Sequence, residues 1–225
     1  MEKEIYECED LLCSVKVLQR KDLYRFTCDA ILLAKFATVK KGDNLLDLCS
    51  GSGVIGLYLY GREKNLSSLT FVELQPKFCE MTKESIALNG IEDISTVINC
   101  KLQDLPKEYN DKYNLIVCNP PYRKVNSGEI DEDYTNKVAR HEVEVKFCEI
   151  VEVARQKLKD KGRFCLVHRA DRLAEILYQL KKNKLEPKRL QFIKGKKDSL
   201  PHLVLIEAVK GGREDIKYLP DLILE

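Results

Sequence analysis

Histidine is scarce in this chain, and its cysteines do not cluster. Three histidines and nine cysteines with no C-x-x-C pair give no evident set of metal ligands. Several cysteines lie in apolar runs, such as Leu115-Ile116-Val117-Cys118. They read as small buried thiols in a reducing compartment, not as disulfide partners. No apolar run approaches the ~20 residues that a membrane-spanning helix needs. The N-terminus, Met1-Glu2-Lys3-Glu4, is acidic and carries no apolar leader segment. Repeats, low-complexity tracts and long linkers are absent too. These absences predict a soluble, cytoplasmic, monomeric protein without a metal, folded as a single domain over residues 1–225. Net charge is only +2, which by itself announces no nucleic-acid partner.

The distribution of charge says more than its sum. Five acids stand in the first ten residues. Between Lys181 and Lys197 eight bases face one acid, Glu186. With 44% apolar and 33% charged residues, the rest is ordinary globular composition.

From about residue 44 onward, strand-like and helix-like segments alternate. Short apolar runs at Leu45–Leu48, Leu69–Val72, Thr96–Ile98, Tyr113–Cys118 and Arg163–Val167 read as strands. Helical spacing occupies Val54–Tyr60, Pro76 to Asn89-Gly90, Val143–Leu158 and Arg172–Leu180. Lys188–Ile193 and Leu203–Val209 are two closing β segments. This order predicts an α/β fold of the Rossmann type: a mostly parallel seven-stranded sheet, helices on both faces and a C-terminal antiparallel hairpin. An extension over residues 1–43, with an edge strand at Ser14–Gln19 and a helix at Cys28–Val39, precedes a core over 44–225.

Two motifs carry chemistry. Asp47-Leu48-Cys49-Ser50-Gly51-Ser52-Gly53-Val54-Ile55-Gly56 follows a strand and opens a helix, and Glu73 lies 20 residues beyond Gly53. Glycines there allow close approach of a nucleotide, and an acid at that distance suits ribose hydroxyls. Asp47 would repel a pyrophosphate, whereas the ammonium and sulfonium of S-adenosylmethionine suit an acid at the turn. The second motif, Asn119-Pro120-Pro121-Tyr122, directly follows the fourth strand, where open α/β sheets bind ligands. Acceptors at Asn119 and Pro120 would draw an amino nitrogen out of conjugation. Pro121 stiffens the loop, and Tyr122 offers a face for a base, worth on the order of 1–3 kcal/mol. In the turn after the third strand, Lys101 stands where many methyltransferases have an acid, with Asp104 three residues on. Backbone groups around Leu102 are the substitute contact for adenine.

The chain resembles the bacterial tRNA(Val) adenine-N6 methyltransferases. Besides the two motifs, the resemblance rests on Thr27-Cys28-Asp29-Ala30-Ile31-Leu32-Leu33, on Ala139-Arg140-His141-Glu142, on His168 to Leu173, and on Leu203 to Ala208 with Gly211-Gly212. It implies methyl transfer to N6 of adenine in RNA, near a tRNA anticodon, with Thr27 and Asp29 at the methionine end of S-adenosylmethionine. Asp47, Gly51, Gly53, Glu73, Leu74, Leu102 and Asn119 would hold that cofactor, and Asn119 to Tyr122 the target base.

Substrate contacts are expected at Arg123, Lys124, Arg140, Lys196 and Lys197, each of which also reads as a solvated charge or a helix-start residue. The polar stretch Val125–Lys137 reads as a lid or as a plain loop. Two other functions use the same parts: glutamine methylation of a release factor, and RNA binding by a relative without catalysis. DNA adenine modification would need a target-recognition region, and no segment is long enough for one.

Overall fold

A computed structural model describes residues 6–121 and 145–224. Tyr122, Arg123, Lys124, Arg140 and the Val125–Lys137 segment lie outside the described residues.

The central sheet begins with β3 (Asn44–Leu48), β4 (Ser68–Glu73) and β5 (Ser95–Asn99), joined through α2 (Val54–Arg62) and α3 (Pro76–Leu88). β6 (Tyr113–Cys118) then crosses to the other side of β3, followed by α4 (Phe147–Lys157), β7 (Leu158–Arg169) and α5 (Leu173–Lys182). The chain closes with β8 (Leu185–Lys194) and β9 (Leu203–Lys210), which pair antiparallel. β9 inserts between β7 and β8, giving the order β8-β9-β7-β6-β3-β4-β5 for the seven long strands. Two two-residue strands, β10 (Lys217–Tyr218) and β11 (Leu222–Ile223), lie parallel to β8 on its outer edge. The expected α/β sheet and terminal hairpin are therefore present, with those two short additions.

Why the strands are apolar throughout follows from what covers them. Along β3, Leu45 faces one core and Leu46 and Leu48 the other. β6 does the same, with Leu115 and Val117 on one face and Ile116 and Cys118 on the opposite one. A strand buried on both sides has no position for a solvated side chain. α1 (Cys28–Phe36) and α2 pack on the first face; α4 and α5 cover the second.

The N-terminal extension departs from expectation. Its strand is present as β2 (Lys16–Arg20), but it pairs with β1 (Tyr6–Asp10) in a separate two-stranded sheet and not with the central one. Its free edge is satisfied by α3. Leu18 N donates to Ser85 Oγ (2.9 Å), Lys16 N to Asn89 Oδ1 (2.9 Å), and Asn89 Nδ2 to Lys16 O (2.7 Å). Side chains thus replace the third strand that would complete the ladder.

Arg62, at the end of α2, fixes α1. Its Nη1 donates to the carbonyls of Ala34 (2.6 Å), Lys35 (3.1 Å) and Ala37 (2.8 Å), which the last turn of α1 leaves without helical partners. The end of α1 is thereby tied to the end of α2.

Gly56 sets the approach of α2 to β4. A Cβ there would lie 2.6 Å from Phe71 Cε1 and 3.1 Å from Leu69 Cδ1. Both neighbours are fully buried, so neither can yield easily. Gly56→Ala is expected to destabilise the fold by about 1–3 kcal/mol through overpacking. Urea unfolding should show a lower midpoint with an unchanged slope, and an unchanged midpoint would contradict this packing account.

Candidate active site

At the carboxyl edge of the sheet, where the strand order reverses between β3 and β6, lies a cavity of about 280 Å³. That position is where open α/β sheets take ligands. The loops following β3, β4, β5 and β6 all contribute walls, and the segment leading into α1 closes the remaining side.

The loop after β3 turns tightly. Cys49, Gly51 and Gly53 all have positive φ (56°, 51° and 74°). Ser50 N donates to Val72 O (3.1 Å), and Gly53 N to Ser50 O (2.8 Å). Gly51 has open space where a Cβ would sit, so its glycine answers a backbone requirement and leaves its main chain exposed to the cavity. Gly53 answers a packing requirement. A Cβ there would meet Thr82 Cγ2 at 2.8 Å and Phe71 Cε1 at 3.1 Å.

Glu73 joins this loop to the end of β4. Its Oε2 accepts from Gly51 N (2.9 Å) and its Oε1 from Gln75 N (2.9 Å). Burial pushes its carboxyl pKa up, against the pull of those backbone donors. Asn99 Nδ2 steadies the same turn from β5, donating to Glu73 O (2.9 Å) and Leu74 O (2.8 Å).

Of the expected site residues, the cavity gathers Thr27, Asp29, Gly51, Glu73, Leu74, Leu102, Asn119, Pro120 and Pro121. Asp47 and Gly53 are not among its walls. Asp47 is fully buried on the α2 side of β3, where its Oδ2 accepts from Gly56 N (3.0 Å). The strand period explains this: Asp47 shares a face with Leu45, beneath the helix. Burial pushes its carboxyl pKa well up, the Gly56 N–H opposes this, and the neighbouring Glu73 charge adds to the rise. The acids that do face the cavity are Asp29 and Glu73.

After β5, Lys101, Leu102 and Gln103 line the cavity and Asp104 does not. No carboxylate replaces the missing acid there. The loop is held from below by Lys157, at the end of α4, a residue that sequence reasoning passed over. Its ammonium is buried and donates to Leu105 O (2.8 Å), Pro106 O (2.9 Å) and Asn110 Oδ1 (2.8 Å). Burial pushes its pKa down. One signal was available: Lys157 falls at helical spacing from the buried Ile150 and Ala154. Tyr24 and Phe26 were also missed; they line the cavity ahead of α1. Gln19 Oε1 accepts from Phe26 N (3.1 Å), tying that wall to β2.

The basic stretch is dispersed by the fold. Lys181 pairs with Glu186 (3.0 Å), Arg189 with Glu207 (3.1 Å) and Lys194 with Asp221 (2.8 Å). Lys188 Nζ donates to Asp215 O (2.6 Å). Lys196 and Lys197 sit in the β8–β9 turn, on the carboxyl edge but three strands from Asn119, and do not line the cavity.

The residues present fit S-adenosylmethionine. Ser50 Oγ is buried without a hydrogen-bond partner and lines the cavity, two acids face a space suited to a cation, and Leu74 and Leu102 offer apolar surface to a ring. Among the described residues no group of three or more His, Cys, Asp or Glu could hold a metal, and no helix is long and apolar enough to cross a membrane.

A raised Asp47 pKa means that the fold favours its neutral form. The stability linked to such a group is complete below the ordinary carboxylate range and is lost as pH rises toward the folded value. Asp47→Asn cannot ionise. In the ligand-free chain the difference in urea midpoint between variant and native chain should move in the variant's favour as pH rises above the ordinary carboxylate range, about pH 4. A difference independent of pH would contradict the buried placement.

Comparison with known proteins agrees with this architecture. The family model described as "Methyltransferase small domain" matches residues 27–184. A tRNA1(Val) (adenine(37)-N6)-methyltransferase from a Flavobacteriaceae bacterium (strain 3519-10) is 26% identical over 151 residues, 67% of this chain and 62% of that protein. Relatives of the same name are 26% identical in Parabacteroides distasonis (80% of this chain, 74% of that one) and 30% identical in Cronobacter sakazakii (62% and 56%). The matched stretch therefore spans less than two thirds of the first and third of these relatives. Among solved structures, a predicted O-methyltransferase from Agrobacterium tumefaciens superposes with a TM-score of 0.68 at 18% identity, covering 87% of both chains. Geranyl diphosphate C-methyltransferase from Streptomyces coelicolor, in complex with S-adenosyl-L-homocysteine, gives 0.58 at 14% identity, covering 81% of this chain and 78% of that one. At such identities the structures speak for the fold alone. The family model, matched over more than two thirds of the residues and across the cavity loops after β3, β4, β5 and β6, makes this chain a member of the methyltransferase small domain family.

Proposed function

We propose that this chain is a cytoplasmic enzyme that transfers a methyl group from S-adenosylmethionine to the exocyclic N6 of an adenine in RNA, with tRNA as the substrate class. The observation that carries this reading is the juxtaposition of Asn119, Pro120 and Pro121 with Gly51 and Glu73 around one cavity. The names of the relatives support the nucleotide and the RNA.

S-adenosylmethionine supplies an electrophilic methyl group on a sulfonium. The rest of the chemistry belongs to the chain. Glu73 accepts from ribose hydroxyls with the lone pairs that Gly51 N and Gln75 N leave over. Asp29 attracts the ammonium of the methionine end. The target nitrogen is a weak nucleophile because its lone pair is delocalised into the ring. The Asn119 side-chain oxygen and the Pro120 carbonyl accept from its hydrogens and draw it toward tetrahedral geometry. Pro121 holds the loop's shape during that change. Alignment of the nitrogen with the reacting carbon can lower the barrier by several kcal/mol, up to roughly 7–11. No strong base is needed, since the proton becomes acidic once nitrogen has been methylated. Extruding the base from a folded loop costs a few kcal/mol, and less from a single strand.

Lys196 and Lys197 then meet RNA backbone farther along the same edge of the sheet, three strands from Asn119. Their double replacement by Glu should weaken RNA binding and reduce the slope of log K against log salt by at least about 1.4, two single-strand phosphate contacts' worth. An unchanged slope would return both to the solvated surface.

The proposal is tested with methyl-labelled S-adenosylmethionine and separate pools of tRNA, rRNA and protein from a deletion strain. N6-methyladenosine should appear in tRNA with the native chain. With Asn119→Ala it should be absent, while S-adenosylhomocysteine binding by calorimetry is largely retained. Normal turnover by Asn119→Ala would refute the catalytic assignment. Label in protein alone would move the function to glutamine methylation.

A further inference from the structure

Two thiols meet where the cofactor loop and the acceptor loop leave the sheet. Cys49 directly follows β3, and Cys118 is the last residue of β6. The strands are parallel neighbours, with Leu48 opposite Cys118. Adjacent strands lie ~4.8 Å apart and consecutive Cα atoms 3.8 Å, so the two cysteine Cα atoms are about 6 Å from each other or closer. That lies within the ~4.4–6.8 Å span of disulfides. Cys49 packs on the apolar cluster that contains Cys118.

Their exposures differ in a useful way. Cys49 lines the cavity and is partly accessible, whereas Cys118 is fully buried behind it. Cys49 also holds a left-handed backbone (φ 56°), the bend at which the chain leaves β3. No step in the transfer proposed above uses either thiol.

The geometry points to an oxidation site: Cys49 and Cys118 form a disulfide under peroxide stress that locks the cofactor loop to the acceptor loop and stops transfer. In the first step the Cys49 thiolate attacks a peroxide ROOH, giving the sulfenic acid and releasing ROH. In the second, the Cys118 sulfur attacks that sulfenic sulfur, the S–O bond breaks, and the Cys118 proton leaves with the oxygen as water. Two thiols and one peroxide thus yield one disulfide, ROH and water, and a dithiol reductant reverses the result. Cys118, fully buried behind the cavity, is shielded from peroxide, so Cys49 is the thiol that meets it first. Drawing two sulfurs from contact to ~2.05 Å displaces both loops by about an ångström, enough to cost roughly 100-fold in a reaction that depends on alignment.

The test treats the full chain with graded hydrogen peroxide, alkylates the remaining thiols and maps the peptides by mass spectrometry without reductant. A Cys49–Cys118 peptide should accumulate in step with the loss of methyl transfer, and dithiothreitol should restore both. For Cys118→Ala and for Cys49→Ser, the ratio of treated to untreated activity is compared with that of the native chain, so a basal change in either variant does not enter. Both ratios should stay near one at peroxide levels that lower the native chain at least 10-fold. Linkage of Cys49 to Cys100, oxidation of Cys49 without linkage, or variants that lose activity as steeply as the native chain would overturn the assignment. The peptide map does not depend on the reaction. Only the activity arm rests on the proposed function, so a chain that links Cys49 to Cys118 but transfers no methyl group even before treatment would fault that function and leave the oxidation site standing.

Discussion

The structure around the cavity depends on one buried carboxylate. Glu73 accepts from Gly51 on one side and from Gln75 on the other, so a single side chain ties the loop after β3 to the turn after β4. Beyond the Ser50 N–Val72 O and Gly53 N–Ser50 O bonds, side chains add little to hold the loop. Its glycine backbone is permissive, Thr82 Oγ1 reaches only the Gly51 carbonyl (3.2 Å), and Ser50 Oγ has no partner. A buried acid is costly unless its lone pairs are used, and here backbone donors use two of them. The same placement turns the remaining lone pairs toward the cavity. Anchoring the loop and binding a ligand are therefore one arrangement.

A second carboxylate lies close by, and the two impose an electrostatic demand. Asp47 is fully buried, one oxygen takes the Gly56 N–H, and the other has no hydrogen-bond partner. The Glu73 charge raises it further. An acid held neutral in this way exerts no charge of its own on the cavity. From the sequence Asp47 was expected to meet the cofactor directly; the fold buries it beneath α2, and Asp29 and Glu73 are the acids among the described residues that line the cavity. Elsewhere buried charges find partners. Arg163 meets Asp43 at 2.6 Å, and Lys157 has three acceptors. Those groups brace the structure, whereas the unpartnered Ser50 Oγ lines the cavity.

Much of this was legible because apolar runs and glycines are local signals. β6 could be placed to the residue, since a strand covered on both faces leaves an uninterrupted apolar run with a proline-rich stop. The loop after β3 could be read because positive φ at Gly51 and Gly53 is a backbone demand. What escaped was set by distant partners. β1 carries three acids in five residues and shows no apolar alternation; β2 and α3 make it a strand. The basic stretch suggested one continuous face, but Lys194 is claimed by Asp221 and Lys188 by Asp215 O, from a tail that no local pattern brings back to β8. Gly53 looked like a cofactor residue because it shares a glycine-rich turn with Gly51, which lines the cavity; only the packing of Thr82 and Phe71 separates the two positions. Lys157 resembled a surface lysine until its three acceptors were seen.

The central claim is that the cavity beside Glu73 is the binding site for S-adenosylmethionine. Calorimetric titration of S-adenosylhomocysteine into the native chain and into Glu73→Gln tests it most directly. Glutamine keeps the size but turns one acceptor oxygen into a donor facing a backbone N–H. The account predicts one site per chain in the native protein and binding at least about 10-fold weaker in the variant, a loss of ~1.4 kcal/mol or more. Equal affinity in both proteins would contradict it.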